Sequence, residues 1–224
     1  MLTDVEKRVD SLTIMVLLTL SGGFQDAYTF FTRHSVFANG QTGNIVLMSS
    51  YIFSGNYKMV LHYLIPVLSY AIGIFLADTI EGYKKELKRF GHWQHIVLYI
   101  EIILLFIVGF LPDSLYHLAN ALVSFSCALQ VASFRTVRGY SYASTMCVGN
   151  IKLGMSALSK GIRGKDDKEL KKSAHYFLVI FIFALGAGLG AICSKAFELR
   201  AIWCSAFTLF LALILLLLPI KRKR

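Results

Sequence analysis

The chain has 224 residues, of which 56% are hydrophobic and 13% aromatic, with a formal net charge of +10 and a mean hydropathy of +0.60. A chain of this length would ordinarily form one soluble domain, but this composition is too apolar for one soluble core, so the expected solvent is a bilayer. The basic residues fall in short loops and in the tail "KRKR", a pattern that argues against a nucleic-acid surface and for a membrane protein fixing its orientation.

The mixed-charge start "MLTDVEKRVD" leads into the first apolar run, Ser11 to Phe31. That run continues as "GGFQDAYTFF" without a small-residue cleavage site and reads as a membrane helix rather than a signal peptide. Further apolar runs of helical length follow at Met59 to Ile80, His95 to Leu111, Leu115 to Phe134, Ser173 to Ala196 and Ala201 to Ile220. Two shorter, more polar runs, Val36 to Phe53 and Ser141 to Leu158, lie between the first and second spans and between the fourth and fifth.

Charge decides how the short runs are placed. If neither crosses, with the N-terminus inside, the cytoplasmic side gathers 18 basic residues, among them Lys84, Arg135, Arg138, Lys165 and the tail, against Arg33, Lys58, Lys195 and Arg200 outside. If both cross, the split falls to 13 inside and 9 outside. Six spans with both termini cytoplasmic are therefore predicted, each short run dipping in and returning on its own side.

"QTGNIVLMSS" at Gln41 to Ser50 returns 106 residues later as "CVGNIKLGMS". With one gap after His34, Gln25 matches Gln130, Arg33 matches Arg138, Gly43 and Asn44 match Gly149 and Asn150, and "AIG" at Ala71 matches "ALG" at Ala184. The predicted fold is an all-α membrane protein, one domain over residues 1–224, with six transmembrane helices in two inverted 3+3 repeats, 11–111 and 115–220, each holding a broken or re-entrant segment.

"GGFQDAYTFF" followed by "FANGQTGNIVLMSS" resembles the YoaK-like family of bacterial polytopic membrane proteins, with a likeness over nearly the whole chain. The resemblance implies a bacterial inner-membrane protein of six or seven spans and supplies no substrate. In the second half Val131 stands where the first has Asp26, and Val148 where it has Thr42, so those side chains are not duplicated.

Asn is a strong helix N-cap, and non-helical backbone at membrane depth survives only where protein or a watery cavity satisfies it. Asn44 and Asn150 are therefore expected to start two half-helices whose positive ends meet in a midplane site for a small polar or anionic solute. The alternative is interhelical packing, each Asn bonded to a neighbouring backbone. The candidate substrate-binding residues are Gln25, Asp26, Thr42, Gly43, Asn44, Gln130, Gly149, Asn150 and Lys152. Asp26 and Lys152 are unpaired between the halves and serve either as titrating or counter-charge groups or as a structural ion pair, with each other or, for Asp26, with Arg33. Glu101 reads as an acid near an interface of the third span.

Four cysteines in apolar or intramembrane runs read as packing thiols. "GAGLGA" at Gly186 follows no strand and reads as small residues for close helix contact, and His92 with His95 lacks a third metal ligand. No His-Glu-x-x-His, Gly-x-Ser-x-Gly or paired-acid motif is present, so no catalytic residue, metal or cofactor is expected. A transporter or channel-like protein is the favoured class, ahead of a membrane scaffold or receptor partner and of a membrane-embedded enzyme. The bilayer and an unidentified small solute or ion are the expected partners, with homo-oligomerisation left open and no nucleic acid.

Overall fold

The computed structural model describes residues 8–84 and 92–218. The helices are α1 (Leu12–Thr32), α2 (Gln41–Phe53), α3 (Tyr57–Gly82), α4 (Trp93–Val108), α5 (Tyr116–Ser133), α6 (Cys147–Gly164), α7 (Asp167–Phe197) and α8 (Ile202–Leu217). The described residues are all-α apart from a hairpin of Thr136–Val137 with Tyr140–Ser141, which the sequence did not suggest. Lys85, Lys88, Arg89 and the "KRKR" tail, used in the charge count, lie outside the described residues.

Local chemistry sets several boundaries. The side chains of Ser11, Asn56 and Asp166 accept hydrogen bonds from backbone N–H groups in the first turns of α1, α3 and α7. Gly55, at φ 71°, makes the turn between α2 and α3. α7 starts earlier than its apolar run, because Asp167 and Glu169 suit the positive end of a helix.

Among the described residues, three helical stretches are long and apolar enough to cross a membrane: Tyr57–Gly82, Asp113–Ser133 and Asp167–Leu217. The last spans 51 residues and contains both α7 and α8, joined by the 3-10 turn Glu198–Ala201. α4 is apolar but only 16 residues long. α1 has 21 residues and carries Gln25 and Asp26 midway.

The long helices exchange partners between the two halves of the chain. α1 packs on α7 as α5 packs on α3; α8 lies on α1 as α4 lies on α5; α2 rests on α3 as α6 rests on α7. Close approach depends on small residues: a Cβ built on Gly73 of α3 would stand 2.7 Å from the carbonyl oxygen of Phe125 in α5. Gly186 of α7 meets the Leu20 carbonyl of α1 in the same manner. Both contacts join residues matched by the repeat, since Leu20 precedes Phe125 by 105 positions and Gly73 precedes Gly186 by 113.

α1 and α5 run antiparallel. Gln130 Nε2 donates to the Leu18 carbonyl (3.1 Å), while Cys127 Sγ, earlier in α5, donates to Gln25 Oε1, later in α1 (3.0 Å).

An arginine holds the C-terminal carbonyls of the last helix in each half. Arg33 is fully buried and donates from Nη2 to Val108 O (3.1 Å) and Leu111 O (2.9 Å), and from Nη1 to Pro112 O (3.3 Å), beyond α4. At α8 the corresponding guanidinium is that of Arg8, donating to Leu215 O and Leu216 O (both 3.2 Å) and to Leu218 O. Arg138, the sequence match of Arg33, is instead exposed at the hairpin turn.

Candidate functional site

After α1 the chain turns back alongside it. Asn39 Nδ2 donates to the Gly22 carbonyl (3.1 Å), and the Asn39 N–H donates to Asp26 Oδ1 (2.8 Å). Gly22 lies ten residues before the end of α1, so the return reaches about 15 Å down the helix at 1.5 Å per residue. α2 begins there.

The asparagines of the repeated motif do not occupy the N-cap positions expected of them. Gly40 and Met146 do, without side-chain caps, and Asn44 and Asn150 sit one turn inside α2 and α6. Each amide reaches back to the residue seven positions earlier and bonds both faces of its peptide backbone. Asn44 Oδ1 accepts from the Phe37 N–H (3.1 Å) and its Nδ2 donates to Phe37 O (2.7 Å). Asn150 Oδ1 accepts from the Ala143 N–H (3.4 Å) and its Nδ2 donates to Ala143 O (2.8 Å). The cause is physical: an N-cap bonds forward into its helix, whereas here an irregular segment folds back beside the first turn. Its N–H and C=O match the amide's acceptor and donor, so the clamp satisfies backbone that would otherwise be stranded.

The two clamped entries border one cavity of about 320 Å³, within the range of small-solute sites. Its lining comes in matched pairs. Asn39, Gly40, Gln41 and Thr42 from the start of α2 stand with Thr145, Met146, Cys147 and Val148 from the start of α6, each pair 106 positions apart. Tyr70 of α3 and Phe183 of α7 form another pair at the 113-residue offset. Asp26 and Gly43 complete the wall without a partner from the other half. First-turn N–H groups of a helix lack intrahelical acceptors; in α2 those of Gln41 and Gly43 are taken by Asn39 O (2.8 Å) and Gly40 O (2.9 Å), which leaves Thr42 and the start of α6 to offer donors to a bound group. Two further polar atoms in this wall, Asn39 Oδ1 and Thr145 Oγ1, are buried without a hydrogen-bond partner among the described residues.

Of the candidate residues, Asp26, Thr42 and Gly43 line the cavity, and Asn44 and Asn150 shape its rim. Gln25 and Gln130 are fully buried behind it. Gln25 Nε2 donates to Ser21 Oγ (3.0 Å), and Gln130 Nε2 donates to Ser144 Oγ (3.0 Å), next to the lining residue Thr145. Gly149 and Lys152 lie exposed on α6, outside the lining. The alternative of a structural ion pair of Asp26 with Lys152 or Arg33 is not found among the described residues: Asp26 accepts from the Asn39 N–H, and Arg33 donates to carbonyls at the end of α4 and beyond it. Sequence reading missed Asn39, Thr145, Tyr70 and Phe183, although the first two follow from extending the repeat four residues upstream of the Gly-Asn pair.

The family described as "Protein of unknown function (DUF1275)" matches residues 14–215. The chain is also 22% identical over 206 residues to the UPF0700 transmembrane protein YoaK of Bacillus subtilis (strain 168), covering 88% of this chain and 90% of that protein. No solved structure matches it. With the family match running through every helix from α1 to α8, the chain is a membrane protein that belongs to the DUF1275 family.

Proposed function

We propose that this protein is a transporter of the bacterial cytoplasmic membrane that binds a small polar or anionic solute between the N-terminal ends of α2 and α6. The observation that carries the proposal is the cavity wall, in which residues 39–42 stand with their repeat partners 145–148. Two helix N-termini converging on one space favour a carboxylate or carbonyl oxygen. No catalytic constellation is part of the proposal.

The proposed architecture is six spans in two inverted 3+3 repeats, with α2 and α6 re-entrant. Support comes from the antiparallel course of α1 beside α5: eight crossings would make α5 the fifth span and parallel to α1, whereas six make it the fourth and antiparallel. The exchange of helix partners between the halves also fits an inverted pair. α2, at 13 residues, is about 20 Å long, short of the roughly 30 Å hydrocarbon core.

The experiment is a thermal-stability screen of the purified protein against small mono- and dicarboxylates and amides, followed by uptake of any stabilising compound into proteoliposomes. Thr42→Trp and Val148→Trp, both at exposed lining positions, should each block stabilisation and uptake while the protein remains folded. A compound that is taken up equally well by both variants would remove the cavity from the transport path, and stabilisation without flux would favour a receptor or scaffold.

A further inference from the structure

α4 carries one acid, Glu101, at the ninth of its 16 positions. The side chain is 0% exposed, and neither carboxyl oxygen has a hydrogen-bond partner among the described residues. Its neighbours along the buried face of α4 are Val97, Leu98, Leu105 and Val108. An ionised carboxylate sealed in such surroundings, with no cation and no donor, is among the costliest arrangements a protein can hold, and the group avoids that cost by keeping its proton. Acids inside membrane helices are costly enough that they mark ion and proton pathways.

The repeat sharpens the assignment. The buried positions Leu98, Glu101, Leu105 and Val108 of α4 match the buried positions Ile202, Ser205, Leu209 and Ala212 of α8, each 104 residues later. Ser205 Oγ shares a hydrogen bond with Ser21 Oγ of α1 (2.7 Å). The counterpart of Ser21 on α5 is Ser126, whose hydroxyl is buried and without a partner. An acid thus occupies a place where the other half needs only a hydroxyl.

We propose that Glu101 is a proton-binding site in the core of the membrane domain, protonated in this conformation and releasing its proton when a second conformation admits water. The titratable groups around it are few. From α5, Cys127 lies within electrostatic reach of both Glu101 and Asp26, and it donates to Gln25 beside Asp26. The buried face of α8 presents Ile202, Ser205, Ala206 and Leu209, none of which titrates. α3, which also touches α4, carries Tyr57, Lys58, His62, Tyr63, Tyr70, Asp78 and Glu81, of which Tyr70 is in the cavity wall. Cys127 is thus within electrostatic reach of both acids, Glu101 and the Asp26 of the cavity wall. Coupling this proton to solute movement rests on the transporter proposal; the proton itself does not.

The test uses the full chain in lipid vesicles. Infrared spectra at neutral pH should contain the carbonyl band of a protonated carboxylic acid, and Glu101→Gln should remove it. Dicyclohexylcarbodiimide, an apolar reagent that takes up a carboxylic acid and its proton to form a stable acylurea, should label the wild-type protein on the peptide holding Glu101, as read by mass spectrometry without any variant. Asp26→Asn should leave that labelling in place. An unlabelled Glu101 peptide, or a carboxylic acid band that survives Glu101→Gln, overturns the proton site whatever the flux. Labelled Glu101 in a protein that moves no solute leaves the proton site standing and fails the transport proposal instead.

Discussion

Gly186 of α7 lies against the carbonyl group of Leu20 in α1, with no room for a Cβ between the two helices. Gly73 of α3 stands in the same relation to Phe125 of α5. Gly186→Ala and Gly73→Ala should each force the helices apart and cost about 1–3 kcal/mol, as overpacking a tight contact does. Gly188 has nothing within 4 Å of its notional Cβ. Thermal unfolding in detergent should show lower midpoints for the first two variants and none for Gly188→Ala.

The clamps of Asn44 and Asn150 supply a second comparison. Replacing either with Ala removes a donor and an acceptor from part-buried backbone at Phe37 or Ala143, a loss of up to about 1–3 kcal/mol for each group that water does not reach. Asn44→Asp keeps the acceptor for the Phe37 N–H and loses the donor to Phe37 O, so it should fall between wild type and Asn44→Ala in chemical unfolding. Equal stability of all the variants would show that water replaces the clamp.

Asp26 holds the returning chain through the Asn39 N–H and also faces the cavity. Asp26→Asn preserves an acceptor there while removing the titrating proton. It should keep the wild-type melting profile and lose any pH dependence of solute uptake. Asp26→Leu strands the Asn39 N–H and should lower stability by about 1–3 kcal/mol. Normal pH dependence in a folded Asp26→Asn protein would confine Asp26 to its structural bond.

Topology can be read by cysteine labelling in a cysteine-free background. Ser114 and Lys165 are both exposed, in the 3-10 turn before α5 and just after α6. In the six-span orientation an impermeant maleimide should reach Ser114→Cys from outside in intact cells, and Lys165→Cys only after the cells are opened. Labelling of both from the same side would end the inverted arrangement.

The sequence alone was enough to establish the membrane class, the approximate positions of the helices and the matched segments, because transfer into hydrocarbon depends on local composition and run length. α1, for example, runs Leu12–Thr32 against an apolar run of Ser11 to Phe31. Bonding partners were decided only in three dimensions. Asn44 has the chemistry of an N-cap, but the irregular segment folding back beside α2 offers it a better match at Phe37. Arg138 matches Arg33 in sequence, yet Arg8 holds the end of α8, since any guanidinium long enough to reach those carbonyls satisfies them. The burial of Glu101 was not legible in the sequence because hydropathy cannot tell a lipid-facing side of α4 from one sealed inside the bundle, where α4 packs between α5 and α8. Burial and hydrogen bonding depend on which helices meet, and that is settled by non-local packing such as the glycine contacts of α1 with α7 and α3 with α5.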